Sequence, residues 1–318
     1  MKKKLSRRLT IIFIGLATIP LIIVGILLAQ RNYAIIAGQA VGVQSEVAQR
    51  VAKDVRDFIS THEKELLVLT NIRNVLLQDR EEQLLALTGL MASKNTYQEL
   101  AVLDPNGQEV VRVGTIRAFT DDELQSRAGM PEFEAARASG QIYYSPVQFD
   151  EATGESYLII AVPSFDVQTG QFAGVLVANI FFNPVWDMMS GVRTAGDGIV
   201  YVVDGENRVV AHRDPGIVLQ GAQFAPPAED GFTVGLSGEE AAVATSMIHF
   251  GQQEFYTVAE LGRTEALSLA ISTSMIIGFV FIASLLVAIV ISVIIARQIR
   301  RMSLETPEVM RMATDSAV

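Results

Sequence analysis

Two long uncharged runs constrain the fold of this chain more than any other feature. Residues 11–29 contain no charged side chain over 19 positions, and residues 266–296 contain none over 31 positions. A helix needs roughly 20 apolar residues to cross the hydrocarbon core of a bilayer. Both runs therefore predict membrane-spanning helices, and the segment between them is long enough for a folded domain with its own core.

The charges next to the two runs predict their orientation. Five basic residues precede the first run and three follow the second: Lys2, Lys3, Lys4, Arg7, Arg8, Arg297, Arg300 and Arg301. Basic flanks stay in the cytoplasm. We therefore expect both termini inside and residues 30–265 outside. A cleaved signal peptide is the alternative interpretation of the first run, since a basic start and an apolar core fit it as well.

The segment between the runs is strongly acidic. From Gln30 to Glu265 there are 16 basic and 32 acidic residues, whereas the rest of the chain carries 9 basic and 3 acidic residues. Such a surface argues against nucleic acid as a partner. The chain has no cysteine, so disulfides and thiol chemistry are excluded, and an apolar core must stabilise the outer domain.

Residues 34–92 are predicted to be helical. Val43, Val47, Val51, Val55 and Ile59 recur every four residues, and no proline interrupts the stretch. The valine stripe has two interpretations: it covers the core of the domain, or it pairs with the same helix of a second subunit.

Beyond this helix the pattern changes to short strands, and it does so twice. The stretches "VLDPNGQEVVR" and "VVDGENRVVAH" each predict two strands around a turn led by aspartate, and Asp204 lies 100 residues after Asp104. We therefore expect an α+β fold, with a long N-terminal helix followed by two modules, each an antiparallel sheet with helices packed on it.

The order of these segments resembles a known family. "ELAVLDPNGQEV", "YYSPV", "YLIIAVPSFD", "GVLVANI", "YVVDGENRVVAHRD" and "GQQEFYTVAEL" follow one another between two apolar runs. This arrangement resembles the double-Cache extracellular sensor domain of bacterial transmembrane receptors such as chemoreceptors and sensor histidine kinases. The resemblance covers roughly residues 30–296. It implies two stacked PAS-like modules, a small-molecule pocket usually in the membrane-distal module, and signalling through paired transmembrane helices in a dimer.

The resemblance and the residues together predict an organisation for the whole chain. We expect a two-pass protein of the bacterial inner membrane, with a small molecule of unknown class, a second copy of the chain and a separate signalling protein as partners. The expected segments are a cytoplasmic N-terminus (1–10), a first span (11–29), an extracytoplasmic helical region (30–92), a membrane-distal PAS-like module (93–190), a membrane-proximal PAS-like module (191–263), a second span (266–296) and a short cytoplasmic tail (297–318).

Asn179 and Tyr157 are candidate ligand-binding residues on two predicted strands. Alternate residues of a strand share a face, so Tyr157 is grouped with Ile159, and Asn179 with Val177. An asparagine in an apolar strand is costly to bury without a partner. Either it faces a ligand or it bonds to nearby backbone.

The resemblance does not extend to ligand specificity. The amino-acid-binding branch of the family carries an aspartate at the position that matches Asn179, and its tryptophan has no counterpart because the single Trp186 lies beyond that strand. The sequence therefore leaves amine and amino-acid binding unsupported.

Tyr143, Tyr144 and Arg117 complete the candidate site. The two tyrosines are adjacent, so one points inward and needs a hydrogen-bond partner, with ordinary core packing as the alternative. Arg112 and Arg117 flank the end of the first hairpin, and either could pair with a ligand carboxylate, with a solvated loop position as the alternative.

Nothing in the sequence predicts catalysis, a metal site or a cofactor. His62, His212 and His249 have no ligand spacing, and neither a nucleophile elbow nor a phosphate-binding loop is found. The segment after the second run begins like the entry to a signalling helix pair. Three interpretations stay open: a truncated or split gene product, a free-standing sensor, or a membrane-anchored binding or adaptor protein without its own signalling output.

Overall fold

The computed structural model describes residues 2–115, 119–150, 154–192, 194 and 196–315. These residues form two compact units, one holding Ala40–Arg263 and the other holding the segments on either side of it. The first of these is α+β, with a long helix and two antiparallel sheets, as the sequence predicts.

The outer segments of the chain belong to two long helices. Helix α1 comprises Lys2–Leu67, and helix α7 comprises Ser268–Asp315 after the single turn α6, Arg263–Ala266. Both α1 and α7 are long and apolar enough to cross a membrane. They approach closely where α1 has Gly25, since a Cβ there would lie 3.0 Å from the ring of Phe281.

The valine stripe of α1 faces the core of the α+β unit. Val47, Val51, Val55 and Ile59 are buried and pack in one cluster with residues of both sheets, whereas Val43 is 44% exposed. The core-facing interpretation is therefore correct from Val47 onward.

The prediction of one helix over residues 34–92 is wrong between residues 73 and 79. After α1 the chain forms a π-helical turn (Val68–Ile72), a 3₁₀ turn (Val75–Leu77) and then helix α2 (Arg80–Ser93). Asn74 adopts the left-handed conformation, with φ of 45°, which asparagine tolerates better than most residues. Asp79 then caps α2 by accepting a hydrogen bond from the backbone N–H of Glu82 at 2.9 Å.

The first sheet lies between residues 97 and 181. Its strands run in the order β2-β1-β6-β5-β3, with β4 paired to β5, and the described pairs are antiparallel. The strands are β1 Tyr97–Leu103, β2 Glu109–Gly114, β3 Tyr143–Tyr144, β4 Gln148–Phe149, β5 Ser156–Phe165 and β6 Phe172–Phe181, with a 3₁₀ turn Asp121–Glu123 and helix α3 Pro131–Ser139 between β2 and β3 and helix α4 Asn183–Gly191 after β6.

The second sheet repeats the topology of the first. Its order is β8-β7-β11-β10-β9, so in each sheet the first strand lies between its hairpin partner and the last strand. The elements are β7 Ile199–Asp204, β8 Val209–His212, helix α5 Pro215–Leu219, β9 Gly231–Val234, β10 Glu240–Phe250 and β11 Gln253–Gly262. The repeat predicted from the two hairpin sequences is confirmed.

The two equivalent turns are also built alike. Asp104 Oδ1 accepts hydrogen bonds from the backbone N–H groups two and four residues later at 2.8 and 2.9 Å, and Asp204 Oδ1 accepts the corresponding pair at 2.9 Å each. The residue two positions before the second strand has positive φ in both, 83° at Gly107 and 65° at Asn207. The aspartates therefore fix the same loop in both sheets.

Each sheet has apolar clusters packed on both of its faces. Along β5, Leu158 and Ile160 belong to the large cluster that includes α1, whereas Ile159 and Ala161 belong to a smaller cluster with Phe133 of α3. This alternation agrees with the strand pattern in the sequence. We call the side of the first sheet that carries Ile159 and Ala161 its outer face.

Candidate ligand-binding site

A cleft of about 1020 Å³ opens on the outer face of the first sheet. Strands β1, β2, β5 and β6 form its base, and the segment leading into α3 forms one wall. Small-molecule sites in proteins occupy roughly 300–1,000 Å³, so the cleft is large enough for a metabolite.

Three of the residues singled out in the sequence meet in this cleft. Tyr143, Tyr157 and Asn179 all line it. Asn179 lies between its cross-strand partners Glu99 on β1 and Ile159 on β5. The hydroxyl of Tyr157 donates to the side-chain oxygen of Gln148 at 3.0 Å. Residues more than 30 positions apart in the chain are thus brought to one surface.

The structure does not bring Tyr144 to the cleft, and Arg117 lies outside the described residues. Because neighbours on a strand point to opposite faces, Tyr143 and Tyr144 separate. The ring of Tyr144 packs against Phe250 with centroids 5.7 Å apart. Burial and a hydrogen bond to Glu63 raise the pKa of the Tyr144 hydroxyl. Its setting is that of a core tyrosine.

The side-chain oxygen of Asn179 has no protein partner in the described part of the chain. Asn179 Oδ1 is buried and accepts no hydrogen bond there. The backbone-bonded alternative is therefore not observed for this atom. Leaving a polar atom buried and unpaired is costly, so a water molecule or a ligand is the natural donor.

Two arginines at one end of the cleft are held by carboxylates. Arg112 Nε lies 2.8 Å from Glu99 Oε2, while Arg127 Nη2 lies 2.5 Å from Glu99 Oε1 and Arg127 Nε lies 2.7 Å from Glu109 Oε1. Glu109 Oε2 also accepts the backbone N–H of Gln125 at 2.9 Å. Burial alone would lower the pKa of Arg127, but Glu99 and Glu109 outweigh it and the pKa is raised. We call these four side chains, Glu99, Glu109, Arg112 and Arg127, the ion-pair cluster.

Sequence reasoning identified Arg112 but missed its partners. Glu99 and Glu109 stand on the apolar strands β1 and β2, and Glu109 is only 3% exposed. A carboxylate at a core-facing strand position was the available signal, because buried acids need a cation.

A further carboxylate, Glu132, reaches the cleft from the first turn of α3. It is 8% exposed, and the nearest cationic atom in the described chain is Arg127 Nη1, at 3.9 Å from Glu132 Oε1. Burial raises the pKa of Tyr143 and the charge of Glu132 raises it further. Burial, Asp150, Glu99 and Glu132 raise that of Tyr157. Carboxylates therefore lie near both hydroxyls.

A model of the Cache domain matches residues 32–270 of the chain. The chain belongs to the Cache domain family. The matched range covers both sheets and α2, so this is a double-Cache protein, with one sheet in each of two modules. No curated protein matches it in sequence.

Solved structures of chemoreceptor sensory domains share this double-Cache fold. The Campylobacter jejuni chemoreceptor Tlp3 with isoleucine bound is 13% identical, with a TM-score of 0.60 over 74% of this chain and 97% of that one. The Pseudomonas fluorescens chemoreceptor CtaA in complex with L-leucine is 16% identical, with a TM-score of 0.57 over 74% and 99%. The Pseudomonas aeruginosa chemoreceptor PctC in complex with GABA is 17% identical, with a TM-score of 0.56 over 68% and 97%. At these identities the likeness establishes the fold alone.

Family membership gives the matched domain a general role. Cache domains of chemoreceptors are extracytoplasmic ligand-binding modules without catalytic activity. This chain therefore carries a small-molecule sensor domain. Among the described residues no group of three or more His, Cys, Asp or Glu is arranged to hold a metal ion.

Proposed function

We propose that this double-Cache protein is a transmembrane signal receptor and not an enzyme. Its first-sheet cleft binds a small molecule outside the bacterial inner membrane, and α1 and α7 transmit the signal across it. In this proposal residues 93–190 are the membrane-distal module, residues 191–263 the membrane-proximal module, and both termini are cytoplasmic. The receptor works as a homodimer and passes its signal to a separate protein.

The single observation that carries this proposal is the unpaired oxygen of Asn179. It belongs to an open cleft of metabolite size, which Tyr143 and Tyr157 also line. An unsatisfied acceptor destabilises a packed core. A ligand with a suitably placed N–H or O–H group would satisfy it.

The short strand β3 supports a route from the cleft to the second sheet. Tyr143 lines the cleft, and the backbone oxygen of the adjacent Tyr144 accepts a hydrogen bond from Gln253 Nε2 at 3.2 Å. A Cβ on Gly251 would lie 2.9 Å from the ring of Tyr144. A ligand that moves β3 therefore acts directly on the β10–β11 hairpin.

The hairpin in turn is close in sequence to the second apolar helix. Strand β11 ends at Gly262, and α7 begins at Ser268. A ligand shifts an equilibrium between two arrangements only through its different affinity for each. In this proposal those arrangements differ in the position of α7 against α1.

The test uses the full chain in lipid nanodiscs with one introduced cysteine pair. Because the chain has no cysteine of its own, Gly25→Cys with Phe281→Cys places the only thiols where α1 and α7 approach. We expect a binding ligand, found by calorimetric titration of a metabolite panel, to change the rate of disulfide formation. Gln253→Met should bind with unchanged affinity and lose that change, while the exposed neighbour Gln252→Met should keep it.

Two outcomes would contradict the proposal in different ways. A ligand that binds but leaves the crosslinking rate unchanged would favour a membrane-anchored binding or adaptor protein. An absence of binding across amines, amino acids, carboxylates, nucleobases and sugars would remove the sensor role of the cleft.

A further inference from the structure

A second groove lies between the π-helical turn that follows α1 and helix α2. It has a volume of about 660 Å³ and shares no lining residue with the cleft of the first sheet. Its apolar lining comes from the turn and from one side of α2: Val68, Leu69, Leu85, Ala86 and Leu90. We call this surface the helix groove.

The helix groove exposes large apolar side chains. Leu85 is 75% exposed and Val68 is 41% exposed, and Ile72, four residues after Val68, is 74% exposed. Single apolar side chains are ordinary on a protein surface, but several gathered around one groove mark an interaction site. We therefore expect a partner to cover this surface.

The exposed side of α1 that precedes the helix groove is charged instead. Arg50, Lys53, Asp54, Arg56 and Asp57 are all exposed, and Lys53 Nζ lies 2.8 Å from Asp57 Oδ2. Charged residues opposite an apolar stripe are typical of a helix face in contact with water. A partner of the α+β unit therefore finds apolar surface at the helix groove and not along this part of α1.

The helix groove also carries two charges of opposite sign. Arg73 and Glu82 line it, and the side chain of neither has a hydrogen bond or an ion pair within the described chain. In a two-fold interface, residue i contacts residue j of the other copy and j contacts i. One cation and one anion beside the same apolar surface therefore make that surface complementary to itself.

A glycine of α2 leaves space for a close neighbour. A Cβ on Gly89, which lines the helix groove, would have no atom within 4 Å. Glycine destabilises a helix interior relative to alanine, but it allows another backbone to approach closely. The position is therefore suited to a contact with a second helix.

We infer that the helix groove is an interface between two copies of this chain, related by a two-fold axis. Val68 and Leu85 of both copies pack together, and Arg73 of each copy pairs with Glu82 of the other. This inference rests on the homodimer of the proposed function and names the surface on which its sensor domains meet. Two copies anchored in one membrane have a high effective concentration, so a small interface suffices.

Crosslinking of a single introduced thiol locates the interface. The chain has no cysteine, so Leu85→Cys and Arg50→Cys each carry one exposed thiol, in the helix groove and on the charged side of α1. The full chain in membranes of the expressing cells is treated with a bismaleimide. We expect Leu85→Cys to form covalent dimers about tenfold faster than Arg50→Cys, because only the first thiol lies beside its copy.

Charge reversal tests the two-fold pairing in the Leu85→Cys background. Arg73→Glu puts two acids at each pair and Glu82→Arg puts two bases there, so each should slow crosslinking about tenfold. When the two variants are co-expressed with different tags, both pairs have opposite charges again, and mixed dimers should form at the original rate. Glu81→Arg, an exposed position on α2 outside the helix groove, should have no effect.

A bulky side chain at Gly89 tests the interface without changing its charge. A single subunit has room for the ring in Gly89→Trp, so the variant should keep the unfolding temperature of the parent chain. Its crosslinking through Leu85→Cys should be lost, because the ring takes the space of the other copy. Thr88→Trp, an exposed neighbour outside the helix groove, should crosslink normally.

The outcomes separate this inference from the proposed function. Dimers through Arg50→Cys and none through Leu85→Cys would overturn the inference and leave the homodimer in place. Crosslinking of Leu85→Cys that ignores both the charge reversals and Gly89→Trp would reflect random collision and overturn it too. A crosslinked product with a different protein would give the helix groove another occupant. No dimer through either thiol would contradict the proposed homodimer as well.

Discussion

The two sheets of this protein share one topology and differ on their outer faces. In the first sheet that face opens into a cleft, whereas in the second it is filled by an apolar cluster that includes Tyr201, Val209 and Phe224. Strand order and turn geometry are the same in both. The shared topology therefore does not decide whether a sheet carries a cleft; the side chains on its outer face do.

Equivalent positions of the two sheets carry side chains of different size. Ala101 pairs with Val177 across the first sheet, and Tyr201 pairs with Val258 across the second. The first sheet has a buried alanine at this position, whereas the second has a tyrosine whose ring centroid lies 5.5 Å from that of Phe224.

The position of Asn179 in the first sheet is equivalent to that of Glu260 in the second sheet. Asn179 is the cross-strand partner of Glu99, and Glu260 is the cross-strand partner of Ile199. Glu260 is buried, and its Oε2 accepts from the Leu236 backbone N–H at 3.0 Å and from the Tyr201 hydroxyl at 3.3 Å. At this position the second sheet provides hydrogen-bond donors for the buried acceptor, Glu260 Oε2, whereas the first sheet provides none for Asn179 Oδ1 among the described residues.

Removing the Tyr201 ring from the outer face of the second sheet should have the largest effect on stability. Tyr201→Ala leaves a cavity at a fully buried site, so we expect a loss of about 3–5 kcal/mol in the free energy of unfolding. Urea denaturation of the full chain in detergent, followed by circular dichroism, measures it. Tyr201→Phe keeps the ring and should cost much less. Equal losses in both variants would show that the hydroxyl, not the filled volume, distinguishes the two sheets.

Replacing residues of the ion-pair cluster with the apolar residues at the equivalent positions of the second sheet should have the next largest effect. Glu109→Val introduces the residue found at Val209 and leaves Arg127 with one carboxylate fewer, at an expected cost of about 3 kcal/mol.

Adding Arg127→Phe, which matches Phe224, should recover most of that stability. The two backbones are equivalent, since Arg127 N donates to Gly107 O at 2.8 Å and Phe224 N donates to Asn207 O at 2.9 Å. Denaturation of the single and double variants gives the coupling energy. A double variant less stable than Glu109→Val alone would mean that the two outer faces are not interchangeable.

The smallest expected effect is a pH dependence of the folding stability, caused by Glu260 in the second sheet. Burial raises the pKa of Glu260 above its ordinary value of 4.5, although the Leu236 N–H and the Tyr201 hydroxyl act in the opposite direction. Below that value the carboxyl is protonated in both the folded and the unfolded chain. As pH rises above it, the unfolded chain ionises first and the folded state loses stability.

Glu260→Gln should therefore raise the unfolding temperature near neutral pH, and its advantage over the wild type should vanish as pH falls toward 4.5. Differential scanning fluorimetry across this range checks it. Glu254→Gln, an exposed carboxyl on the same strand, is the control and should show no such trend. A constant difference at every pH would remove ionisation of Glu260 as the cause.

Features set by local sequence were predictable. The uncharged runs anticipated α1 and α7, and the spacing of Asp104 and Asp204 anticipated the repeat. Strand alternation grouped Tyr157 with Ile159 on the face where the cleft lies. These inferences need only the period of a helix or strand and the chemistry of a turn.

Features set by pairing between distant segments were not predictable. The partnership of Arg127 with Glu99 depends on the register of β1 and on the path of the segment after β2, and neither is encoded within a few residues. The assignment of Tyr143 to the cleft and Tyr144 to the core required the pairing of β3 with β5. The break at Asn74 was readable in part, because Asp79 and Glu82 have the spacing of a helix cap.

In the proposed signalling route, strand β3 sets how much binding energy a response needs. It lies at the edge of the first sheet and is registered to β5 by two residue pairs. A backbone hydrogen bond contributes about 1 kcal/mol net, so shifting such a strand costs a few kcal/mol. A ligand with a dissociation constant of about 1 μM brings roughly 8 kcal/mol. Because only the difference in affinity between the two arrangements shifts the equilibrium, a metabolite displaces β3 when a few kcal/mol of this energy is realised in the displaced arrangement alone.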